Sequence, residues 1–226
     1  MDICFTNVSV TYGNRVALHP LTLTLRESRI GIIGLNGSGK TTFARLINGL
    51  VKPGTGTVSV NGLDTVTDAK AVLSTVGYIF QNPQNQIIMP IVRDDIAFGL
   101  KNRGLSGTEM TAQTDAVLAR FGIDHLAGRR AHELSGGETQ LVAIASVTVT
   151  GPSVLILDEP TNQLDLRNRQ RVAKTLDALR EHAIVVSHDL PLLETFERVL
   201  LFHEGRLLAD GAPDAVIAAY HEVAGC

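Results

Sequence analysis

The eight residues Gly34-Leu35-Asn36-Gly37-Ser38-Gly39-Lys40-Thr41 limit what this chain can be more than any other stretch. They follow a short apolar run, Arg29 to Gly34, and lead into a predicted helix from Lys40 to Leu50. A glycine-rich turn between a buried strand and a helix start wraps main-chain N–H groups around an anion, and the helix end adds positive potential. The sequence fits GxxxxGK[ST] at every fixed position. Asn36, Gly37, Ser38, Gly39 and Thr42 are thus candidate phosphate contacts. Lys40 is placed to bridge the β- and γ-phosphates of a nucleotide, and the Thr41 hydroxyl to ligate Mg²⁺.

A second run supplies what such a cradle needs. Val154-Leu155-Ile156-Leu157-Asp158-Glu159 is four apolar residues followed by two acids, the pattern of a buried strand delivering a carboxylate at its C-terminal end. Alone the pattern is common; after a phosphate loop it is specific. Asp158 is the candidate metal carboxylate, acting through water, and Glu159 the candidate to polarise the attacking water.

Elsewhere, strand and helix patterns alternate. Ile3 to Tyr12 and Leu21 to Leu25 alternate apolar and polar residues, as half-buried strands do. Thr57 to Val60 is a strand closed by the turn Asn61-Gly62, and Gly77 to Phe80 is a short buried strand. The middle third predicts helices through Ile91 to Leu100 and Thr108 to Phe121, with no strands. Then come a helix over Gly136 to Val149, the strand Val154 to Leu157, and a helix over Leu166 to Arg180. The strands Ala183 to Val186 and Val199 to Phe202 flank a helix from Leu190 to Thr195. Apolar strands alternating with helices predict a largely parallel sheet covered on both faces. At 226 residues, 44% hydrophobic and 19% charged, the chain suits one α/β domain, 1–226, with a helical subdomain inserted at about 84–150.

Other features exclude alternatives. Net charge is −3, so no basic footprint for nucleic acid exists, and the clusters Arg129-Arg130 and Arg167, Arg169 and Arg171 read as solvated faces. Cys4 and Cys226, at opposite ends, make neither a zinc pattern nor a required disulfide, which fits a reducing cytosol. The first residues lack a signal-peptide pattern. Leu141 to Leu157 carries no charge, but Gly151-Pro152 divides it into a buried helix and a buried strand.

Leu134-Ser135-Gly136-Gly137-Glu138 opens a predicted helix ahead of the acid pair. It resembles the LSGGQ or LSGGE signature of the ATP-binding cassette (ABC) ATPases, and the likeness extends along essentially the whole chain. The resemblance implies a P-loop ATPase core with a mostly parallel sheet, an N-terminal antiparallel β subdomain and an inserted helical subdomain, using ATP and Mg²⁺. In that family the signature of one subunit closes over the P-loop of another, so Ser135, Gly136 and Gly137 would form a second phosphate cradle. Tyr12 resembles the aromatic that stacks on adenine, and Gln81 the glutamine that senses Mg²⁺ and water. Asn162-Gln163-Leu164-Asp165 resembles the loop crossing the dimer interface, and His188 the histidine that contacts the γ-phosphate. Lys40, Gln81, Glu159 and His188 are the implied catalytic residues; Thr41, Gln81 and Asp158 the implied metal residues. Two departures stand out: Leu141 replaces a usual arginine after Gln140, and Asn162-Gln163 replaces small residues.

The passage from Phe80-Gln81-Asn82-Pro83 to Asp95-Ile96-Ala97-Phe98-Gly99 is similar to that of the energy-coupling factor (ECF) importers of vitamins and metal ions. This implies a peripheral ATPase on the cytoplasmic face of the membrane, paired with itself or a sister ATPase. A transmembrane coupling subunit would dock near Gln81–Phe98, where Ile87, Ile88, Met89 and Phe98 beside Asp94 and Asp95 suit a helix bearing arginines. A small membrane substrate-binding subunit would carry the cargo, with biotin as the leading candidate. The alternatives are a conventional ABC importer and a non-transport ABC ATPase in DNA repair or translation. One P-loop, no sustained heptads and a slightly acidic composition weigh against nucleic-acid work.

Overall fold

A computed structural model describes residues 1–225; Cys226 lies outside the described residues. The chain opens with an antiparallel pair, β1 (Ile3–Tyr12) and β2 (Arg15–Leu25). The second strand begins well before the predicted Leu21 and runs through Pro20, which has no N–H to donate. It is tolerated because β2 is the edge of its sheet and the register slips between Val8↔Leu21 and Val10↔Leu18. Next come β3 (Arg29–Ile33) and α1 (Lys40–Ile47), which stops at Asn48 before Gly49 at φ 75°. Strands β4 (Thr55–Val60) and β5 (Leu63–Asp64) are joined at Asn61-Gly62, both left-handed at φ 51° and 82°, as a tight hairpin requires.

Helix α2 (Ala69–Thr75) leads into β6 (Val76–Ile79). Helices α3 (Val92–Asn102), α4 (Gly107–Phe121) and α5 (Gly136–Thr148) follow. An isolated Ile91↔Arg130 bridge is the one strand-like pairing in this stretch among the described residues. The chain returns to the sheet through β7 (Val154–Asp158), α6 (Leu166–Asp177), β8 (His182–Val186), α7 (Leu190–Leu193) and β9 (Arg198–His203). It finishes with β10 (Arg206–Gly211) and α8 (Pro213–Ala224).

Two sheets result. One is antiparallel in the order β2-β1-β4-β5; the other runs β10-β9-β3-β8-β7-β6, parallel throughout except for the β9–β10 hairpin. The central strands are buried on both faces, which explains their continuous apolar runs. Along β7, Val154 and Ile156 enter the core shared with α1 and the antiparallel sheet, while Leu155 and Leu157 enter the core under α5 and α6. Ala183 and Val185 against Ile184 and Val186 divide β8 the same way.

This topology sets the site. Four neighbouring parallel strands end together: β3 at Gly34, β6 before Gln81, β7 at Asp158 and β8 before His188, in a register pairing Ile79 with Leu157 and Asp158 with Val186. Open parallel sheets bind ligands at this carboxyl edge.

Candidate active site

Between β3 and α1 the glycine turn takes backbone geometry that side chains resist. Gly34, Gly37 and Gly39 have φ of 144°, 78° and 103°. A Cβ on Gly34 would stand 2.1 Å from the Phe202 carbonyl oxygen, and one on Gly39 2.7 Å from that of Ala17. Gly39 caps α1 without any side-chain acceptor, leaving the helix start open to an anion. Lys40 is buried, and its Nζ donates to the Gly34 carbonyl at 2.7 Å and the Leu35 carbonyl at 3.0 Å. Burial pulls this ammonium below its ordinary pKa, against the opposing charges of Glu159 and Asp158. The Ser38 hydroxyl is buried without a hydrogen-bond partner.

Gly37, Ser38, Gly39 and Lys40 line a cavity of about 630 Å³ with Tyr12, Asn36, Thr41, Thr42, Gln81, Asp158, Glu159 and His188. The candidates from the glycine turn and from the ends of β6, β7 and β8 thus converge. Tyr12 is about half exposed (53%) at the cavity, a ring free to stack. The Thr41 hydroxyl donates to Asp158 Oδ1 at 3.4 Å. Ser135, Gly136 and Gly137 do not line this cavity. Ser135 sits exposed at the start of α5, its Oγ accepting from the Glu138 N–H at 3.4 Å and donating to Glu138 Oε2 at 2.8 Å. The Ser135 N–H, at 2.8 Å from Oε2, and then the Ser135 hydroxyl hold the Glu138 carboxyl below its usual range. Gly137 is bare for a packing reason too: a Cβ there would meet Asn168 Oδ1 at 2.3 Å, on the first turn of α6.

Glu159 stands at φ 53°, a left-handed backbone rare for a non-glycine residue, stabilised by a 2.8 Å bond from its N–H to the Val186 carbonyl. The bend turns its carboxylate toward the end of β8. There the His188 N–H donates to Oε2 at 3.2 Å and His188 Nε2 lies 3.1 Å from Oε1. Burial raises the Glu159 pKa and, with the Lys40 charge, lowers that of His188. A neutral imidazole donating from Nε2 satisfies this geometry. Glu159 is a carboxylate fixed at both oxygens beside a buried ammonium, well suited to orient and deprotonate water.

Some site residues carry no sequence signal. Arg15 reaches the glycine turn, its Nη2 donating to the Gly37 carbonyl at 3.4 Å. Tyr78 on β6 donates to Asp158 Oδ2 at 2.9 Å. Burial and the Asp158 charge push its pKa up, so it stays a protonated donor. The groove residues separate as well. Asp94 is exposed, but Asp95 is buried and accepts from the Ile88 and Met89 N–H groups at 2.7 and 3.0 Å and from Ser146 Oγ at 2.8 Å. Its charge closes the 86–89 loop onto α5 and is not free to meet a docking helix, contrary to the expectation for this aspartate.

The chemistry of the site fits a magnesium nucleotide. Thr41 offers a hydroxyl, Asp158 a carboxylate and Gln81 an amide oxygen, all hard donors, and among the described residues no cluster of three His, Cys, Asp or Glu could hold a metal alone. Such a set leaves most of a Mg²⁺ shell to phosphate oxygens and water.

The ABC transporter family model matches residues 18–162. The chain belongs to the ABC transporter family. It is an ATPase of that family, with the ABC P-loop fold. The biotin transport ATP-binding protein BioM of Rhizobium etli is 63% identical to this cassette over 224 residues, covering 99% of this chain and all of the relative. The energy-coupling factor transporter ATP-binding protein EcfA1 of Halalkalibacterium halodurans is 40% identical over 198 residues, covering 85% of this chain and 70% of the relative. A solved dimeric ATP-binding cassette, MJ0796, bound to ADP and phosphate in a post-hydrolysis state, superposes with a TM-score of 0.82 at 25% identity, covering 93% of this chain and 98% of that one. Among the described residues of this ABC cassette, no helix is long and apolar enough to cross a membrane.

Proposed function

We propose that this chain is the motor subunit of an ECF-type importer: two copies close around ATP, hydrolyse it and reopen, and that motion drives uptake of biotin through membrane partners. The observation that carries the reading is the gathering of Lys40, Thr41, Gln81, Asp158, Glu159 and His188 around one cavity, while the serine-led turn Ser135-Gly136-Gly137 stands outside it. A cassette that keeps half of its phosphate contacts away from its own cavity has a use for them in a second copy. The dimeric MJ0796 cassette supports that arrangement, and the BioM and EcfA1 relatives support the cargo and the importer type.

In this reading Lys40 leaves the Gly34 and Leu35 carbonyls for the β- and γ-phosphates, and Tyr12 stacks on the adenine. Thr41, Asp158 and Gln81 would hold Mg²⁺, which neutralises charge on the phosphate oxygens. Glu159 takes a proton from water as the water oxygen bonds to the γ-phosphorus and the bond to the bridging β–γ oxygen breaks, releasing ADP and phosphate. His188 positions Glu159 and faces the γ-phosphate. The chain acts as one cassette, 1–226, whose helical portion at about 84–150 carries the surface near Gln81–Phe98 toward the coupling subunit, at the cytoplasmic face of the membrane. The small substrate-binding membrane subunit is reached only through that coupling subunit.

Affinity capture of the tagged chain from detergent-solubilised membranes of its source cell, paired with labelled-biotin uptake by cells carrying wild type or Lys40→Ala, tests this. Co-purification of membrane subunits with uptake lost in Lys40→Ala supports it. Capture of ribosomes or DNA, or biotin uptake independent of Lys40, contradicts it.

A further inference from the structure

Behind the metal carboxylate lies a second set of polar groups. Tyr78 sits on β6, next to β7 in the sheet, and is only 6% exposed. Its hydroxyl donates to Asp158 Oδ2 at 2.9 Å, and the Arg45 guanidinium of α1 stands near that same hydroxyl, its charge opposing the burial that raises the tyrosine pKa. The other Asp158 oxygen takes the Thr41 hydroxyl at the longer distance of 3.4 Å. Arg45 lies four residues after Thr41 on α1, so one face of that helix sets Thr41 beside Asp158 and Arg45 near Tyr78.

The two donors to Asp158 are not equivalent. Thr41 lines the nucleotide cavity and Tyr78 does not. In the proposed function the Thr41 hydroxyl turns its lone pairs to the metal. Tyr78 then remains as the fixed donor that keeps the carboxylate in one rotamer. Its ring is locked against Phe80, with centroids 5.1 Å apart, so the hydroxyl has little freedom to leave.

We infer that Tyr78, backed by Arg45, is a positioning residue for Asp158: it sets how tightly this cassette holds Mg²⁺ with its nucleotide, without touching the nucleotide. The inference rests on the proposed ATPase site. Groups that hydrogen-bond a metal ligand from behind typically govern metal affinity about tenfold or more.

The experiment is an equilibrium titration of Mg²⁺ into the full chain with a fluorescent ATP analogue, for wild type, Tyr78→Phe and Arg45→Met. Each protein is first titrated with the analogue in EDTA, and Mn²⁺ bound in the presence of a non-hydrolysable ATP analogue is counted by electron paramagnetic resonance. Tyr78→Phe keeps the ring and removes only the hydroxyl. The result expected is about a tenfold rise in the Mg²⁺ and Mn²⁺ half-saturation points, a smaller rise for Arg45→Met, and unchanged binding in EDTA. Half-saturation points equal to wild type in Tyr78→Phe, or equal weakening with and without metal, overturn the positioning role. If wild type itself binds no nucleotide, the ATPase reading fails first and takes this inference with it.

Discussion

His188 holds Glu159 at both carboxylate oxygens, through its main-chain N–H at 3.2 Å and its ring Nε2 at 3.1 Å. The two residues end neighbouring strands, and the left-handed backbone of Glu159 is what lets the contact form. Glu159→Gln keeps the size and the main-chain hydrogen bond but removes the base. We expect ATP binding within about threefold of wild type and turnover reduced at least about a hundredfold, read by nucleotide binding and phosphate release on the same sample. Turnover near wild type would remove Glu159 from the chemistry.

The direction of the Glu159 shift makes a pH prediction. Burial raises its pKa, and a base works only when deprotonated, so activity falls as pH drops through a value above the ordinary carboxylate range of about 4.3. The acid limb of a kcat/KM profile, which reports the free enzyme, therefore lies above that range. The residual activity of Glu159→Gln lacks that limb. A wild-type limb at or below the ordinary value would contradict this.

Asp94 and Asp95 are neighbours with opposite fates. Removing Asp95 strips the acceptor from two main-chain N–H groups and the Ser146 hydroxyl, so Asp95→Ala costs about 3 kcal/mol of stability. Asp94→Ala leaves the melting temperature near wild type and weakens capture of the membrane partner, because its exposed carboxylate is free to meet a basic helix. Thermal melts and co-purification of both variants check the pair; equal loss of stability would refute the distinction.

Gly137→Ala drives a methyl group into Asn168, with 2.3 Å available to Oδ1. Asn168 is itself bonded to Asp165 through its main-chain N–H and its side-chain Nδ2, both at 2.8 Å. The start of α5 and the turn before α6 must separate. We expect about 1–3 kcal/mol of lost stability and a larger loss of ATPase than of ATP binding, since no nucleotide-cavity residue is touched. Unchanged turnover would mean the contact yields cheaply.

The sequence makes the sheet strands legible wherever they are buried on both faces, because continuous apolar runs have few other readings. It says little about α2, β10 and α8. In each helix one residue is fully buried, Val72 and Val216, and β10 is an edge strand with no buried residue, so no strong pattern marks them. The phosphate loop and the Asp158–Glu159 pair stand out because phosphate and metal binding ask for fixed residue types at strand ends, whereas His188 is marked by the family resemblance. Tyr78 and Arg45 are not: their roles depend on β6 lying beside β7 and on one turn of α1, facts of topology. Asp95 misleads for the converse reason, since a carboxylate serving main-chain N–H groups looks in sequence like any surface acid.

The central claim is that each ATP is held by the cavity of one copy and the Ser135 turn of another, and mixing two defective chains tests it. In a Glu159→Gln background, Lys40→Ala and Ser135→Arg chains should each retain no trapped ATP alone. Unfolded, mixed and refolded together, or co-expressed, they form hybrid dimers in which one site has an intact Lys40 and, from the partner, an intact Ser135. The account predicts recovery of trapped ATP to about a quarter of the background level, as half the dimers are hybrids with one good site of two. If the mixture traps no more than its parts, both halves of the site belong to a single chain and the account is wrong.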